Sequence, residues 1–261
     1  MEHIIKSSLI YVLVLVLSSC CLQPEIKDGA PKQKIDVSKI KNATPKTEPL
    51  SRYGNRPSYV VNGQRYQVLP SAKGYDKKGI GSWYGTKFHG QLTSTREPYD
   101  MLAMTAASTD LPLPTYARVT NLENGHHIIV KVNDRGPFDK NRIIDLSYAA
   151  AKKLGYANKG TALVRVQAID PSIPKTTNTK ITHQPKLYIQ IGAFKDLTAA
   201  RKLQTKMTAI INDPIRINQS TYNNSLIYRV QIGPISNVTE NDRLQNLLAA
   251  KGLGRGMTVV E

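Results

Sequence analysis

Two carboxylates, Glu97 and Asp134, sit in a stretch where aromatic rings and glycines are dense and the long apolar runs of a helical core are missing. The stretch runs from Ile80 to Asp145. It opens with Ser82-Trp83-Tyr84-Gly85-Thr86-Lys87-Phe88-His89-Gly90, continues through Glu97-Pro98-Tyr99-Asp100, and closes with Val132-Asn133-Asp134-Arg135-Gly136-Pro137-Phe138. Rings offer apolar faces to pyranose sugars, and acids supply chemistry at a glycosidic bond. The stacking candidates are Trp83, Tyr84, Phe88 and Tyr99, with His89 in the same loop; Trp83 and Phe88 serve equally well as the core of a small domain. No His/Cys/Asp grouping has metal-ligand spacing, so neither a metal nor a cofactor is expected.

These groups need a frame that brings distant stretches together, and the surrounding sequence predicts short strands. Val60-Val61-Asn62-Gly63-Gln64-Arg65-Tyr66 places an Asn-Gly pair between extended runs, a hairpin signal. A stronger hairpin runs from Tyr116 to Leu122, turns at Glu123-Asn124-Gly125 and returns from His126 to Val132. In the returning strand Ile128, Val130 and Val132 share one face, and Asp134 has the same parity. One helix interrupts the strands, capped by Ser147, running from Tyr148 to Leu154 and stopped by Gly155. Val164 to Ile169 supplies a closing strand, and the turn spacing predicts a small antiparallel or mixed barrel over residues 58–170. Asp145, between Ile143-Ile144 and the helix, reads as a structural acid bonding backbone amides.

Residues 171–185, rich in Pro, Thr, Lys and Asn, read as a linker. Residues 186–261 hold an internal repeat. Leu187-Tyr188-Ile189-Gln190-Ile191-Gly192 is echoed by Tyr228-Arg229-Val230-Gln231-Ile232-Gly233, an offset of 233 − 192 = 41 residues. Each copy precedes an amphipathic helix, Thr198 to Ile210 and Thr239 to Lys251. Strands near 215–220 and 256–260 complete a βαββαβ, ferredoxin-like unit. The chain is therefore mainly β plus α+β. A basic βαββαβ unit also describes an RNA-binding fold, but the strands that would stack bases lack paired aromatics.

The N-terminus places the chain. Lys6 precedes an apolar run, Leu9 to Leu17, too short to span a bilayer as a free helix. The run ends in Leu17-Ser18-Ser19-Cys20, which resembles a bacterial lipobox; ordinary signal cleavage nearby is the alternative. Residues 1–19 are then the signal peptide and Cys20 the lipidated first residue. Cys21 follows where an aspartate would retain the protein at the inner membrane, so an outer-membrane anchor facing the periplasm is expected. Cys20 and Cys21 are the only cysteines, which leaves no disulfide or thiolate site elsewhere. Residues 20–57 are poor in large apolar side chains and read as a flexible tether. A net charge of +17 asks for an anionic partner, and secretion excludes nucleic acid.

Ser82-Trp83-Tyr84-Gly85, Phe88-His89-Gly90, Tyr99-Asp100-Met101, Leu111-Pro112-Leu113-Pro114 and Val132-Asn133-Asp134-Arg135-Gly136-Pro137 resemble the rare lipoprotein A family. The tail from Lys186 resembles a SPOR domain. The resemblance implies a double-psi β-barrel followed by a module that binds septal peptidoglycan stripped of its stem peptides. It implies enrichment at the division septum, with divisome proteins as further partners. The family's active members are lytic transglycosylases, which break the MurNAc–GlcNAc bond without water and leave a 1,6-anhydro end.

By match to that family Asp134 is the acid/base, and Glu97 is a second functional acid that stabilises charge or positions substrate. Trp83, Tyr84, Phe88, His89, Tyr99 and Arg135 are glycan contacts of the barrel, and Gln190, Arg229 and Gln231 those of the tail. Many relatives carry a histidine after Thr-Ala-Ala; this chain has Ser108 in that catalytic position. A serine can bond a carboxylate or a sugar hydroxyl but cannot shuttle a proton near neutral pH. Two functions therefore stand: a transglycosylase, or a septal lipoprotein that grips glycan without cutting it. Peptide-free strands carry a free lactyl carboxylate on each MurNAc, so the positive charge suits both.

Overall fold

The computed structural model describes residues 28–139, 141–172 and 185–261. The expected signal peptide, Cys20 and most of the linker lie outside the described residues. The first hairpin is β1 (Ser58–Val61) and β2 (Gln64–Gln67), closed by Asn62 at φ 48° and Gly63 at φ 75°. Two successive left-handed residues are what a tight two-residue hairpin loop requires.

Six further strands make a closed barrel. They are β3 (Asp76–Tyr84), β4 (Thr105–Ala107), β5 (Thr115–Asn121), β6 (His127–Asp134), β7 (Arg142–Ser147) and β8 (Ala162–Ile169), in the order β3-β7-β4-β6-β5-β8. The pairs β3–β7 and β4–β6 are parallel and the others antiparallel, so the barrel is mixed. Ile128, Val130 and Val132 of β6 are buried with Ala117 and Val119 of β5 and Val164 and Val166 of β8, as period-two alternation requires. Helix α1 (Tyr148–Lys153) starts where the Ser147 hydroxyl accepts from the Ala150 amide.

The tail comprises β9 (Leu187–Phe194), α2 (Leu197–Thr208), β10 (Ile215–Tyr222), β11 (Ser225–Ile235), α3 (Val238–Ala250) and β12 (Met257–Val260). Its strands pair antiparallel in the order β10-β11-β9-β12. Leu187, Ile189 and Ile232 of the sheet pack with Met207 of α2 and Leu244 and Leu248 of α3. This is the expected βαββαβ unit.

The expectation of a flexible tether is corrected for residues 28–57, which lie along the barrel as a strap. Ile35, Ile40 and Ala43 pack against the barrel core, the Ala43 amide donates to Ile129 O at 3.0 Å, and the Ser51 amide donates to Leu113 O at 2.8 Å. The Asn55 side chain both donates to Leu113 O and accepts from its amide. Such a composition cannot build a core, but a few apolar residues suffice to share a neighbour's. Glu48 is the strap's main polar anchor, accepting from Tyr116 Oη at 2.5 Å and lying 3.4 Å from Lys131 Nζ.

The Tyr116 hydroxyl holds the Glu48 carboxyl below its usual range; burial opposes this and Lys131 assists. A depressed carboxylate pKa stabilises the fold above the unfolded value, and the contribution is lost as pH falls through the folded one. Glu48→Gln is therefore expected to cost about 1 kcal/mol at neutral pH. In thermal unfolding the gap from wild type should close as the pH drops below the ordinary glutamate value of 4.5. A gap that persisted in acid would show that the Glu48 charge is not what anchors the strap.

Candidate active site

Barrel register sets out the acids. Ala107 of β4 pairs with Asp134 of β6 on one side and with Asp145 of β7 on the other, and Asp145 pairs with Ser82 of β3. Residues directly opposite each other point to the same face. Ser82, Asp145, Ala107 and Asp134 thus form one row across four strands, with the smallest side chain between the two acids. The backbone of Gly136 passes close by, since a Cβ there would stand 3.7 Å from both Ala107 Cβ and Asp145 Oδ2.

Asp134 is half-buried, and three donors converge on one of its oxygens. Oδ1 accepts from Ser94 N at 2.8 Å, Ser94 Oγ at 2.7 Å and Arg135 N at 2.7 Å. No hydrogen bond among the described residues reaches Oδ2. Ser94 is aimed by a tight turn in which Arg96 N donates to Thr93 O at 2.9 Å, while Arg96 takes the left-handed φ of 70°. That conformation costs a non-glycine residue roughly 1 kcal/mol. The same loop carries Glu97, whose carboxylate accepts from Lys131 Nζ at 2.7 Å, Asn133 Nδ2 at 2.7 Å and Thr95 Oγ1 at 3.3 Å. Burial works against the charge on Glu97, but the Lys131 and Asn133 bonds outweigh it and hold the carboxyl below its usual range.

Among the described residues no backbone amide bonds Asp145, contrary to expectation. Its cross-strand partner Ser82 donates its hydroxyl to the carboxylate instead, a consequence of register. Burial raises the Asp145 pKa, and that hydrogen bond only partly offsets it. The sequence reading missed this acid as a member of the site. Its signal was parity in a parallel strand pair, which becomes visible only once β3 and β7 are aligned.

The four expected stacking rings divide. Tyr84 and Tyr99 stack on each other at 4.0 Å, Tyr99 Oη donates to Tyr84 O at 2.6 Å, and both are buried in a cluster with Ala107. They are the floor beneath the acid row. Trp83 donates Nε1 to Ala157 O at 3.0 Å and packs edge-on against Tyr148, so it belongs to the core side. Phe88, edge-on to Tyr84, is 39% exposed and keeps an open face. His89 Nδ1 accepts from Met101 N at 3.3 Å. Two exposed rings were not singled out in advance: Phe138, four residues past Asp134, and Tyr53, which lies under the Arg96 guanidinium. Phe138 was legible in the Gly136-Pro137-Phe138 motif; Tyr53, on the strap, had no signal.

Arg135 and Ser108 are corrected in the same way, because protein partners occupy both. Arg135 turns away from Asp134 and donates to Gly54 O, Ser108 O, Leu111 O and Asn55 Oδ1, stitching the strap to the loop after β4. Ser108 is 1% exposed. Its hydroxyl donates to Asp110 Oδ1 at 3.0 Å and accepts the amides of Asp110 and Leu111, so it caps its own turn and reaches neither acid. Only its amide bears on the site, donating to Asp134 O at 3.0 Å.

In the tail, Gln190 and Gln231 pair across β9 and β11, and Arg229 donates to Gln190 Oε1 at 3.2 Å. Gln231 is roofed by Arg216, a residue not foreseen, which donates to Gln231 Oε1 at 2.9 Å and lies 3.5 Å over the Tyr188 ring.

Residues 76–166 match a family described as lytic transglycolase, and residues 184–258 match the SPOR domain. The endolytic peptidoglycan transglycosylase RlpA of Pseudomonas aeruginosa (strain UCBPP-PA14) is 38% identical over 285 residues, covering 88% of this chain and 83% of its own. The protein of that name from Vibrio cholerae is 39% identical over 245 residues, covering 92% and 90%. Among solved structures, the RlpA SPOR domain from Pseudomonas aeruginosa aligns at 33% identity over 28% of this chain and 96% of that one, with a TM-score of 0.27. Matched to such relatives over most of its length and most of theirs, and built as a double-psi β-barrel with a SPOR unit, the chain belongs to the RlpA family.

Proposed function

We propose that this protein is an endolytic peptidoglycan transglycosylase acting on MurNAc–GlcNAc bonds of strands stripped of stem peptides. The observation that carries the reading is the Asp134 carboxylate, with one oxygen fixed by three donors and the other open. Its relatives' names support the reaction class. One carboxyl serves both halves of the reaction. Asp134 Oδ2 gives its proton to the bridging oxygen, and the bond from MurNAc C1 breaks with its electron pair leaving on GlcNAc O4. The same oxygen then takes the proton of the MurNAc 6-hydroxyl as O6 bonds to C1, giving the 1,6-anhydro end with no water consumed. Glu97 acts on Asp134 through Asn133 and the 94–97 turn, and stays ionised while it does so. Asp145, which burial keeps protonated to higher pH, completes the acid row.

Cys20 is the proposed lipid anchor at the outer membrane, with the protein gathered at the septum by its SPOR unit and divisome contacts. No helix among the described residues is long and apolar enough to cross a membrane. With the strap docked, the eight residue steps from Cys20 to Asp28 (28 − 20) can span at most about 27 Å.

Asp134→Asn is expected to cut release of 1,6-anhydro ends from denuded strands by about 100-fold or more, read by mass spectrometry, with strand binding kept. Equal release by the variant removes Asp134 from the chemistry; no release by wild type leaves a glycan-gripping lipoprotein. The +17 net charge predicts that affinity for denuded strands falls steadily as salt rises. A flat profile would exclude charge as the source of attraction.

A further inference from the structure

Asp28, the first described residue of the strap, sets its carboxylate against backbone amides of the loop after β3. Gly85 N lies 3.0 Å from each carboxylate oxygen and Lys87 N lies 3.0 Å from Oδ1. Between them Thr86 N donates to Gly29 O at 3.0 Å. Consecutive amides converging in this way form a concave site for an anion that needs no cationic side chain. The approach requires a bare Cα, because a Cβ on Gly85 would stand 2.1 Å from Gly29 O. The site adjoins the acid row. Tyr84, one residue before, is the floor under Ala107, and Phe88, three residues on, is the exposed ring and donates its amide to Gly85 O. Burial is the main cause of the raised Asp145 pKa, and Asp28 lies near enough to add to it.

We infer that the Gly85 and Lys87 amides are a subsite for the lactyl carboxylate of peptide-free MurNAc, which Asp28 fills as an internal surrogate when no glycan is bound. The inference rests on the glycan-strand reading above. A free lactyl group offers the charge and the two oxygens that Asp28 offers. A lactyl group still amide-bonded to a stem peptide offers neither the charge nor the second acceptor. The barrel would then sense stem removal itself, apart from any selectivity in the SPOR unit.

Trp83 is the only tryptophan and lies two residues before Gly85, so its fluorescence reports on this site. The full-length protein in detergent, carrying Asp134→Asn to prevent turnover, is titrated with three ligands. They are a GlcNAc–MurNAc oligosaccharide with free lactyl carboxylates, the same oligosaccharide with those groups converted to amides, and a GlcNAc oligomer of equal length. Adding Asp28→Ala should tighten the free-carboxylate ligand by about tenfold, because a tethered competitor is removed, and leave the two neutral ligands unchanged. The near-isosteric Asp28→Asn should do the same. If removing Asp28 alters none of the three affinities, or all three alike, the subsite is refuted and Asp28 is only a clasp. That result would leave cleavage, judged by anhydro ends, untouched. Carboxylate selectivity without anhydro ends would instead leave the subsite on a protein that grips and does not cut.

Discussion

The site depends on how β4 is paired. This strand is three residues long, yet it takes a parallel neighbour on one edge and an antiparallel one on the other. Ala107 is thereby opposite Asp134 and Asp145 at once. A slip of one residue on either edge would send one acid to the other face of the sheet. Mixed pairing brings together two carboxylates that are eleven positions apart in sequence (145 − 134) and separated by a loop. Alanine at the centre keeps them from being pushed apart by a larger side chain.

A second constraint runs from the strap to that row. Tyr116 donates to Glu48, Glu48 and Glu97 both reach Lys131, and Glu97 accepts from Asn133, the residue before Asp134. Lys131 is a single cation between two carboxylates, and hydrogen bonds to those carboxylates raise its pKa against the effect of burial. In a partly desolvated setting such a chain stiffens because each member fixes the next. Arg135 ties the other side, joining Gly54 and Asn55 of the strap to the loop after β4. The strap is therefore part of the frame that aims Asp134.

Local patterns carried much of this fold into view from sequence. The Asn62-Gly63 hairpin, the β5–β6 hairpin, the Ser147 cap and the 41-residue repeat each depend on neighbours in the chain, and all were legible. The parallel pairs β3–β7 and β4–β6 were not, because their partners are distant and no turn residue marks them. Composition was a poor guide to residues 28–57, since it speaks to folding alone and says nothing about docking on a core built by others. Side-chain type misled for the same reason at Trp83, Arg135 and Ser108. Each has the chemistry to meet a sugar, and each has it occupied by carbonyls or a turn that only tertiary structure brings near.

The strap's contacts are uneven, and that decides what it can do. From Ile35 onward it shares the barrel core and carries Glu48, so freeing it would expose apolar surface and break the bracing of Glu97. Residues 30–34 make no hydrogen bond among the described residues, and at the far end Asp28 and Gly29 hold on through backbone amides alone. The end can therefore part from Gly85 while the rest stays seated, as local opening follows the segment with the fewest buried contacts. Parting there releases the residues from Asp28 to Lys34, about 23 Å of reach at most. If Cys20 carries the proposed lipid, emptying the amide site and extending the barrel toward the wall become the same motion.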